Sequence, residues 1–219
     1  MIILITGGSG LLGSYLLRAF PEDEVHFTFF SHPLEAKKVD GHKLDISDKK
    51  AVHSLFSSIR PDITIHTVAI PSMDLCETNK PLADTVNVEG TRNVVEACKN
   101  INAKIVFVST SYVFDGKQKI FPENAPTHPV NYYGKTKLEG EKILSASGLP
   151  FLILRTDQPY GWVLPFQKKN SVVRALELLE NGQLFREPED WYNNPTYARD
   201  FAMAAKTLLE KNKTGLYHV

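Results

Sequence analysis

The sequence predicts an α/β chain built on a doubly wound parallel sheet, and three observations lead there. Apolar and β-branched runs alternate with segments of helical periodicity along most of the 219 residues. The strand-like runs read as buried, which suits a parallel sheet covered by helices on both faces. The first run, Met1 to Thr6, leads directly into the glycine-rich bend Gly7-Gly8-Ser9-Gly10-Leu11-Leu12-Gly13.

After that bend, Leu12, Tyr15, Leu16 and Ala19 mark a helix, interrupted by Pro21. Val25 to Phe30 predicts a second strand and His42 to Ile46 a short third one. Ser47 is the expected N-cap of a helix whose Ala51, Val52, Leu55, Phe56 and Ile59 form one apolar stripe, stopped by Pro61. Asp62 to Ala69 predicts a strand, and a polar connection leads to a helix from about Pro81 to Lys99. Lys104 to Ser109 predicts a strand, Asn131 to Ser147 a helix closed by Gly148, and Phe151 to Arg155 another strand. Beyond Arg155 the rhythm loosens. Val172 to Leu179 suggests a helix, Gln183 to Glu187 a short strand, and Pro195 opens a helix ending before Gly215. Leu216 to Val219 looks like the beginning of a strand.

Composition excludes several classes. The formal net charge is zero, so nothing favours nucleic acid or an anionic membrane as partner. No apolar stretch approaches the roughly 20 residues of a membrane span, and the N-terminus enters a strand without a signal-peptide pattern. Cys76, Cys98 and the scattered histidines have no metal-ligand spacing, so reduced structural thiols, a cytoplasmic location and no metal site are expected.

Three motifs carry chemistry. A glycine cluster can be a plain turn, but between strand and helix it forms a cradle in which backbone N–H groups and the helix dipole meet a pyrophosphate. Tyr133 and Lys137 stand four apart in Tyr133-Gly134-Lys135-Thr136-Lys137, on one helical face. An ammonium beside a phenol pulls its pKa down toward the working range of acid–base catalysis. On a surface helix the pair would have no such role. Ser109-Thr110-Ser111 closes the preceding strand, where ligands of doubly wound sheets bind; such hydroxyls otherwise serve as caps. The combination decides for a site.

These residues resemble the extended short-chain dehydrogenase/reductases, whose T-G-x-x-G-x-x-G matches Thr6 to Gly13 and whose active site joins Ser/Thr with Tyr-x-x-x-Lys. Within them the chain is similar to the dTDP-4-dehydrorhamnose reductase group. Ser109-Thr110-Ser111-Tyr112-Val113-Phe114-Asp115-Gly116 resembles its S-T-D-Y-V-F-D-G, and Pro129 to Glu141 its P-x-N-x-Y-G-x-T-K-x-x-G-E; Asp74-Leu75-Cys76-Glu77, Asn87 and Pro195-Thr196 also match. The resemblance implies one NAD(P)-binding Rossmann domain over residues 1–219, with about 157–219 contributing to a substrate lobe that is small and truncated against the family.

The same resemblance implies NADP(H)-dependent reduction of a keto group on a nucleotide-linked sugar. Tyr133 would give the proton, Lys137 would hold the nicotinamide ribose and lower the tyrosine pKa, and Thr110 would bind the reacting oxygen. Cofactor contacts are expected at Gly7, Ser9, Gly10, Leu11, Leu12, Gly13, Ser31, His32, Asp45, Ile46, Val68, Ala69, Ile70, Asn87 and Ser109, besides Tyr133 and Lys137. Substrate contacts are expected at Met73, Thr110, Ser111 and Gln158. NADP is favoured, with NAD as the alternative: Ser31-His32 stands where NAD-preferring members place an acid, Glu35 comes too late, and His32 or Lys37 could meet a 2′-phosphate.

Two departures touch the substrate side: Ser111 replaces the family's aspartate, and Gln158 its tryptophan. They keep two alternatives open, an epimerase or dehydratase of the same superfamily, and a dinucleotide-binding regulatory protein. The regulatory beta subunit of methionine adenosyltransferase, which resembles the same reductases, is the precedent for the second. A homodimer through the Pro81–Lys99 and Asn131–Ser147 helices is expected by resemblance.

Overall fold

The computed structural model describes residues 1–34 and 39–219. Among them seven strands pair in parallel: β1 (Ile2–Thr6), β2 (Glu24–Phe29), β3 (Val39–Lys43), β4 (Ile63–His66), β5 (Lys104–Thr110), β6 (Phe151–Thr156) and β7 (Gly215–His218). Their spatial order is β3-β2-β1-β4-β5-β6-β7. The chain winds outward from β1 to β3 and then returns to lay β4 against the other side of β1. This reversal opens a crevice outside the carboxyl ends of β1 and β4, the standard ligand position in such sheets.

The helices are α1 (Leu11–Leu16), α2 (Lys49–Ile59), α3 (Met73–Thr78), α4 (Lys80–Ala83), α5 (Gly90–Ile101), α6 (Tyr132–Ser145), α7 (Ser171–Glu180) and α8 (Ala198–Glu210). A π-helical stretch, Asp84–Glu89, joins α4 to α5, and a 3-10 turn, Ser111–Val113, follows β5. Two cores sandwich the sheet. Ile3, Ile5, Phe27, Ile65 and Val106 pack against Leu16 of α1 and Phe201 of α8, while Leu4, Ile105, Phe107 and Ile153 pack against Val52, Phe56, Val94 and Leu144 on the other face. Each such burial stabilises by roughly 1.5–3 kcal/mol, so the central strands hold the crevice floor rigid. No described helix is long and apolar enough to cross a membrane, and Cys76 and Cys98 are buried free thiols.

Several expected boundaries shift. The third strand is Val39–Lys43 rather than His42–Ile46: it is the sheet edge, mostly exposed, and its polar residues lack the signal of a buried strand. Asp48, not Ser47, caps α2 by accepting the Ala51 N–H at 3.0 Å, because the Ser47 amide and hydroxyl are both bound by Asp45. The polar connection after β4 contains α3, capped by Ser72. Gln183 to Glu187 forms no strand. Pro195 precedes α8 by three residues, and the strand expected at Leu216–Val219 is the edge strand β7, Gly215–His218, beside β6.

Candidate active site

The glycine turn leaves β1 with Gly7 at φ 76° and is tied to β2, since Gly8 N–H donates to Thr28 O (2.9 Å) and Gly7 N–H to Thr28 Oγ1 (3.1 Å). A Cβ on Gly13 would stand 2.2 Å from Gly7 O, so only glycine lets α1 begin this close to the turn. Gly10 starts α1 without a side-chain cap. The N–H groups of Leu11, Leu12 and Gly13 therefore have no intrahelical partner and suit a pyrophosphate, as do the close backbone and helix dipole. Ser9 lies within this turn, and its carbonyl accepts Gln167 Nε2 at 2.8 Å.

Ser31 and His32 follow the end of β2, with Ser31 Oγ 2.9 Å from His32 Nδ1. The His32 ring is stacked on Phe166, with centroids 4.7 Å apart and planes 2° apart. Glu35 and Lys37, the other residues weighed for cofactor choice, lie outside the described residues. Asp45 is exposed but turned onto Ser47, and the Ile46 side chain is buried against Gly90, its carbonyl accepting Asn93 Nδ2 at 2.9 Å. Their backbone and the Asp45 edge are what this end of the sheet offers a ligand.

Val68, Ala69 and Ile70 follow β4 beside the glycine turn; Thr67 Oγ1 donates to Thr6 O at 2.7 Å. Asn87, buried in the π-helical stretch, does not face the crevice directly. Its Oδ1 accepts Ile70 N–H (2.7 Å), and its Nδ2 donates to Ile70 O (3.2 Å) and Thr136 Oγ1 (3.0 Å). Thr136 donates in turn to Tyr133 O at 2.8 Å. His66, unnoticed in the sequence, extends this buried network: Nδ1 meets Thr6 Oγ1 at 2.6 Å and Nε2 meets Thr91 Oγ1 at 3.1 Å. Because Thr91 gives its proton to Asn87 O, it can only accept from His66, which fixes Nε2–H as the tautomer. Burial, reinforced by the Lys137 charge, lowers His66 to about 3, so it stays neutral.

Tyr133 and Lys137 share one face of α6, whose N-cap Asn131 accepts Gly134 N–H at 2.7 Å. A Cβ on Gly134 would lie 2.1 Å from Tyr112 O, so glycine lets the helix start press against the 3-10 turn. This brings Tyr133 to Thr110 at the end of β5 and edge-on to Tyr112, with ring centroids 6.1 Å apart. The electrostatics correct one expectation. Burial raises the Tyr133 phenol, aided by Cys76, and the Thr110 hydroxyl pulls the other way; the net shift is upward rather than downward. Burial instead lowers the Lys137 ammonium to about 7, against the opposing charge of Glu141, with Nζ 4.0 Å from the Phe107 ring centroid. The protein alone thus keeps the proton on Tyr133 and lets Lys137 titrate close to neutral pH.

On the substrate side the described groups satisfy one another. Ser111 Oγ donates to Asp157 Oδ1 (2.8 Å), whose Oδ2 accepts Asn194 N–H (2.8 Å). Gln158, in the left-handed region at φ 40°, donates from Nε2 to Tyr112 OH at 2.9 Å. Burial and the Asp157 charge raise the Tyr112 pKa, opposed by Gln158. Met73, first residue of α3, receives Asn131 Nδ2 at 3.6 Å beside the start of α6. The Ser109 hydroxyl is committed elsewhere, donating to Glu141 Oε1 at 2.6 Å. Glu141 also takes a two-pronged ion pair from Arg155, Nε to Oε1 at 2.8 Å and Nη2 to Oε2 at 2.7 Å, almost wholly buried. Sequence reasoning missed this pair, although Tyr133, Lys137 and Glu141 form a row at intervals of four on α6.

Comparison with known proteins agrees with this geometry. The whole chain, residues 1–219, matches the family described as the RmlD substrate binding domain. It is 33% identical to a dTDP-4-dehydrorhamnose reductase from Aggregatibacter actinomycetemcomitans, over 99% of this chain and 72% of that protein. It is 29% identical to methionine adenosyltransferase 2 subunit beta from Bos taurus, over 95% of this chain and 62% of that protein. A hypothetical dTDP-4-dehydrorhamnose reductase from Sulfolobus tokodaii superposes with a TM-score of 0.88 at 35% identity, covering 100% of this chain and 76% of that one. The reductase from Bacillus anthracis str. Ames, solved in complex with NADP, gives 0.82 at 29% identity, covering 100% and 74%. A UDP-glucose 4-epimerase from Thermus thermophilus, in complex with NAD, gives 0.88 at 26%, covering 100% and 77%. The chain belongs to the RmlD substrate binding domain family, with the α/β architecture of the extended short-chain dehydrogenase/reductases.

Proposed function

We propose that this chain is an NADP(H)-dependent reductase of a keto group on a nucleotide-linked sugar, with NAD as the alternative cofactor. The observation that carries this reading is that Thr110 ends β5 beside Tyr133, that Lys137 stands one turn further along the same face of α6, and that the glycine turn ends β1, separated from β5 only by β4 in the same parallel sheet. When bound, the nicotinamide supplies the hydride. The cradle of Gly7 to Gly13 would hold the pyrophosphate, the Val68–Ile70 backbone would flank the dinucleotide, and Lys137 would reach the nicotinamide ribose. Thr110 would bind the substrate carbonyl oxygen. Tyr133, its proton retained by burial, would donate to that oxygen, and the Lys137 ammonium would stabilise the resulting phenolate. The complex of the Bacillus anthracis relative with NADP supports the cofactor choice. A cytoplasmic homodimer pairing the α5 and α6 helices belongs to the same reading; a dimer mass by light scattering is its expected result.

A regulatory, dinucleotide-binding role is the second reading. It is favoured by the mutual saturation of Ser111, Asp157, Gln158 and Tyr112 on the substrate side and by the similarity to a protein named as a subunit beta. Fluorescence titration with NADPH and NADH, followed by NADPH oxidation with nucleotide-linked 4-keto sugars, separates the two. Turnover supports the reductase. Tight binding without turnover on any sugar supports the regulatory role, and failure to bind either dinucleotide contradicts both.

A further inference from the structure

The segment after β6 returns across the sheet and fastens itself to the glycine turn. Trp162 N–H donates to Tyr15 OH at 2.9 Å, Asn170 Nδ2 to Gly161 O at 2.7 Å, and Gln167 bridges Leu164 N–H (2.9 Å) to Ser9 O (2.8 Å). Next to Gln167 stands Phe166, placed flat on the His32 ring, 4.7 Å between centroids. One segment therefore touches both the pyrophosphate cradle and the end of β2, where a doubly wound sheet reads the ribose 2′ position.

A histidine on an exposed connection would otherwise sample several rotamers. Two contacts remove that freedom here: Phe166 fixes the ring plane, and Ser31 Oγ holds Nδ1 at 2.9 Å. The second ring nitrogen, Nε2, is then left on the opposite edge, its direction set by a residue far away in sequence. A ring held in one orientation loses little entropy when it meets an anion, which is the benefit of preorganisation.

Resting on the dinucleotide reading above, we propose that Phe166 is a specificity-determining residue that acts through His32: it presents the imidazole to the 2′-phosphate of NADP(H) and so selects against NAD(H). NAD(H) carries a hydroxyl at that position, so the effect of Phe166 falls on one cofactor alone. Phe166 is 38% exposed, and its removal leaves the core intact.

The test is the dissociation constant of NADPH and of NADH for the full chain and for Phe166→Ala, Phe166→Tyr, His32→Ala and the double variant Phe166→Ala/His32→Ala. Phe166→Ala is expected to weaken NADPH about tenfold and to leave NADH within about twofold, as for loss of one charge-assisted hydrogen bond. Phe166→Tyr, which keeps the stacked ring, is expected to retain NADPH affinity. In the His32→Ala background, Phe166→Ala is expected to have no further effect. Equal weakening of both cofactors, or full additivity of the two substitutions, would overturn the proposal while leaving the dinucleotide reading in place. A wild-type chain that binds neither cofactor would overturn that reading and the proposal with it.

Discussion

Asn87 and Ile70 exchange two hydrogen bonds, Ile70 N–H to Asn87 Oδ1 at 2.7 Å and Asn87 Nδ2 to Ile70 O at 3.2 Å. The buried amide thereby joins the loop after β4 to α6, because the same Nδ2 reaches Thr136, which holds the Tyr133 carbonyl. Substituting Asn87→Ala leaves the Ile70 groups and Thr136 short of partners in a closed site. Thermal unfolding is expected to show a loss of about 2 kcal/mol, with weaker NADPH binding in the same titration.

Gly13→Ala places its new carbon 2.2 Å from the Gly7 carbonyl oxygen, so either the turn or α1 must move. The expected outcome is destabilisation of roughly 1–3 kcal/mol and NADPH binding weakened at least about tenfold, read by calorimetric melting and fluorescence titration.

Glu141 and Arg155 form a buried pair completed by Ser109. Glu141→Ala strands the guanidinium between β6 and α6 and should cost about 3–5 kcal/mol in urea unfolding. Ser109→Ala removes one neutral donor from a pair that survives, and should cost only about 1 kcal/mol.

Lys137 gives a signed pH dependence. Its folded pKa is lowered to about 7 by burial, whereas an unfolded lysine keeps its proton to about 10.4. Between those values the unfolded chain binds the extra proton, so stability is expected to rise with pH across this window and to be lowest below it. Lys137→Met should abolish that rise and stabilise the protein at neutral pH by on the order of 1–2 kcal/mol, while removing turnover. In the wild type, kcat/KM should fall as pH rises through about 7, where the free protein loses the ammonium.

Much of this architecture is legible in the residues alone. Strands β1, β5 and β6 carry apolar runs and β4 is rich in β-branched residues because both faces are covered, and the Thr6–Gly13 and Tyr133–Lys137 spacings mark the glycine turn and the α6 pair. The edge strand β3 is not legible, since Val39-Asp40-Gly41-His42-Lys43 has one apolar side chain and owes its strand to pairing with β2. The π-helical stretch around Asn87 has no compositional mark either; it shows itself only through the contacts with Ile70 and Thr136. The tyrosine pKa runs opposite to the local Tyr–Lys rule because burial of the phenol is the largest influence on it, and burial is not visible in a four-residue spacing. Phe166 and Gln167 could not be connected to His32 and Ser9 before the fold brought the segment after β6 across the sheet.

The central claim is that Tyr133 is the proton donor of a keto-sugar reductase, and Tyr133→Phe tests it most directly. NADPH oxidation would be followed with the nucleotide-linked 4-keto sugar that the wild type turns over best, alongside the NADPH dissociation constant. The expected result is a fall in kcat of about 100-fold or more with cofactor affinity within about twofold of wild type, the pattern of a lost general acid. A Phe variant that turns over at the wild-type rate would contradict the assignment.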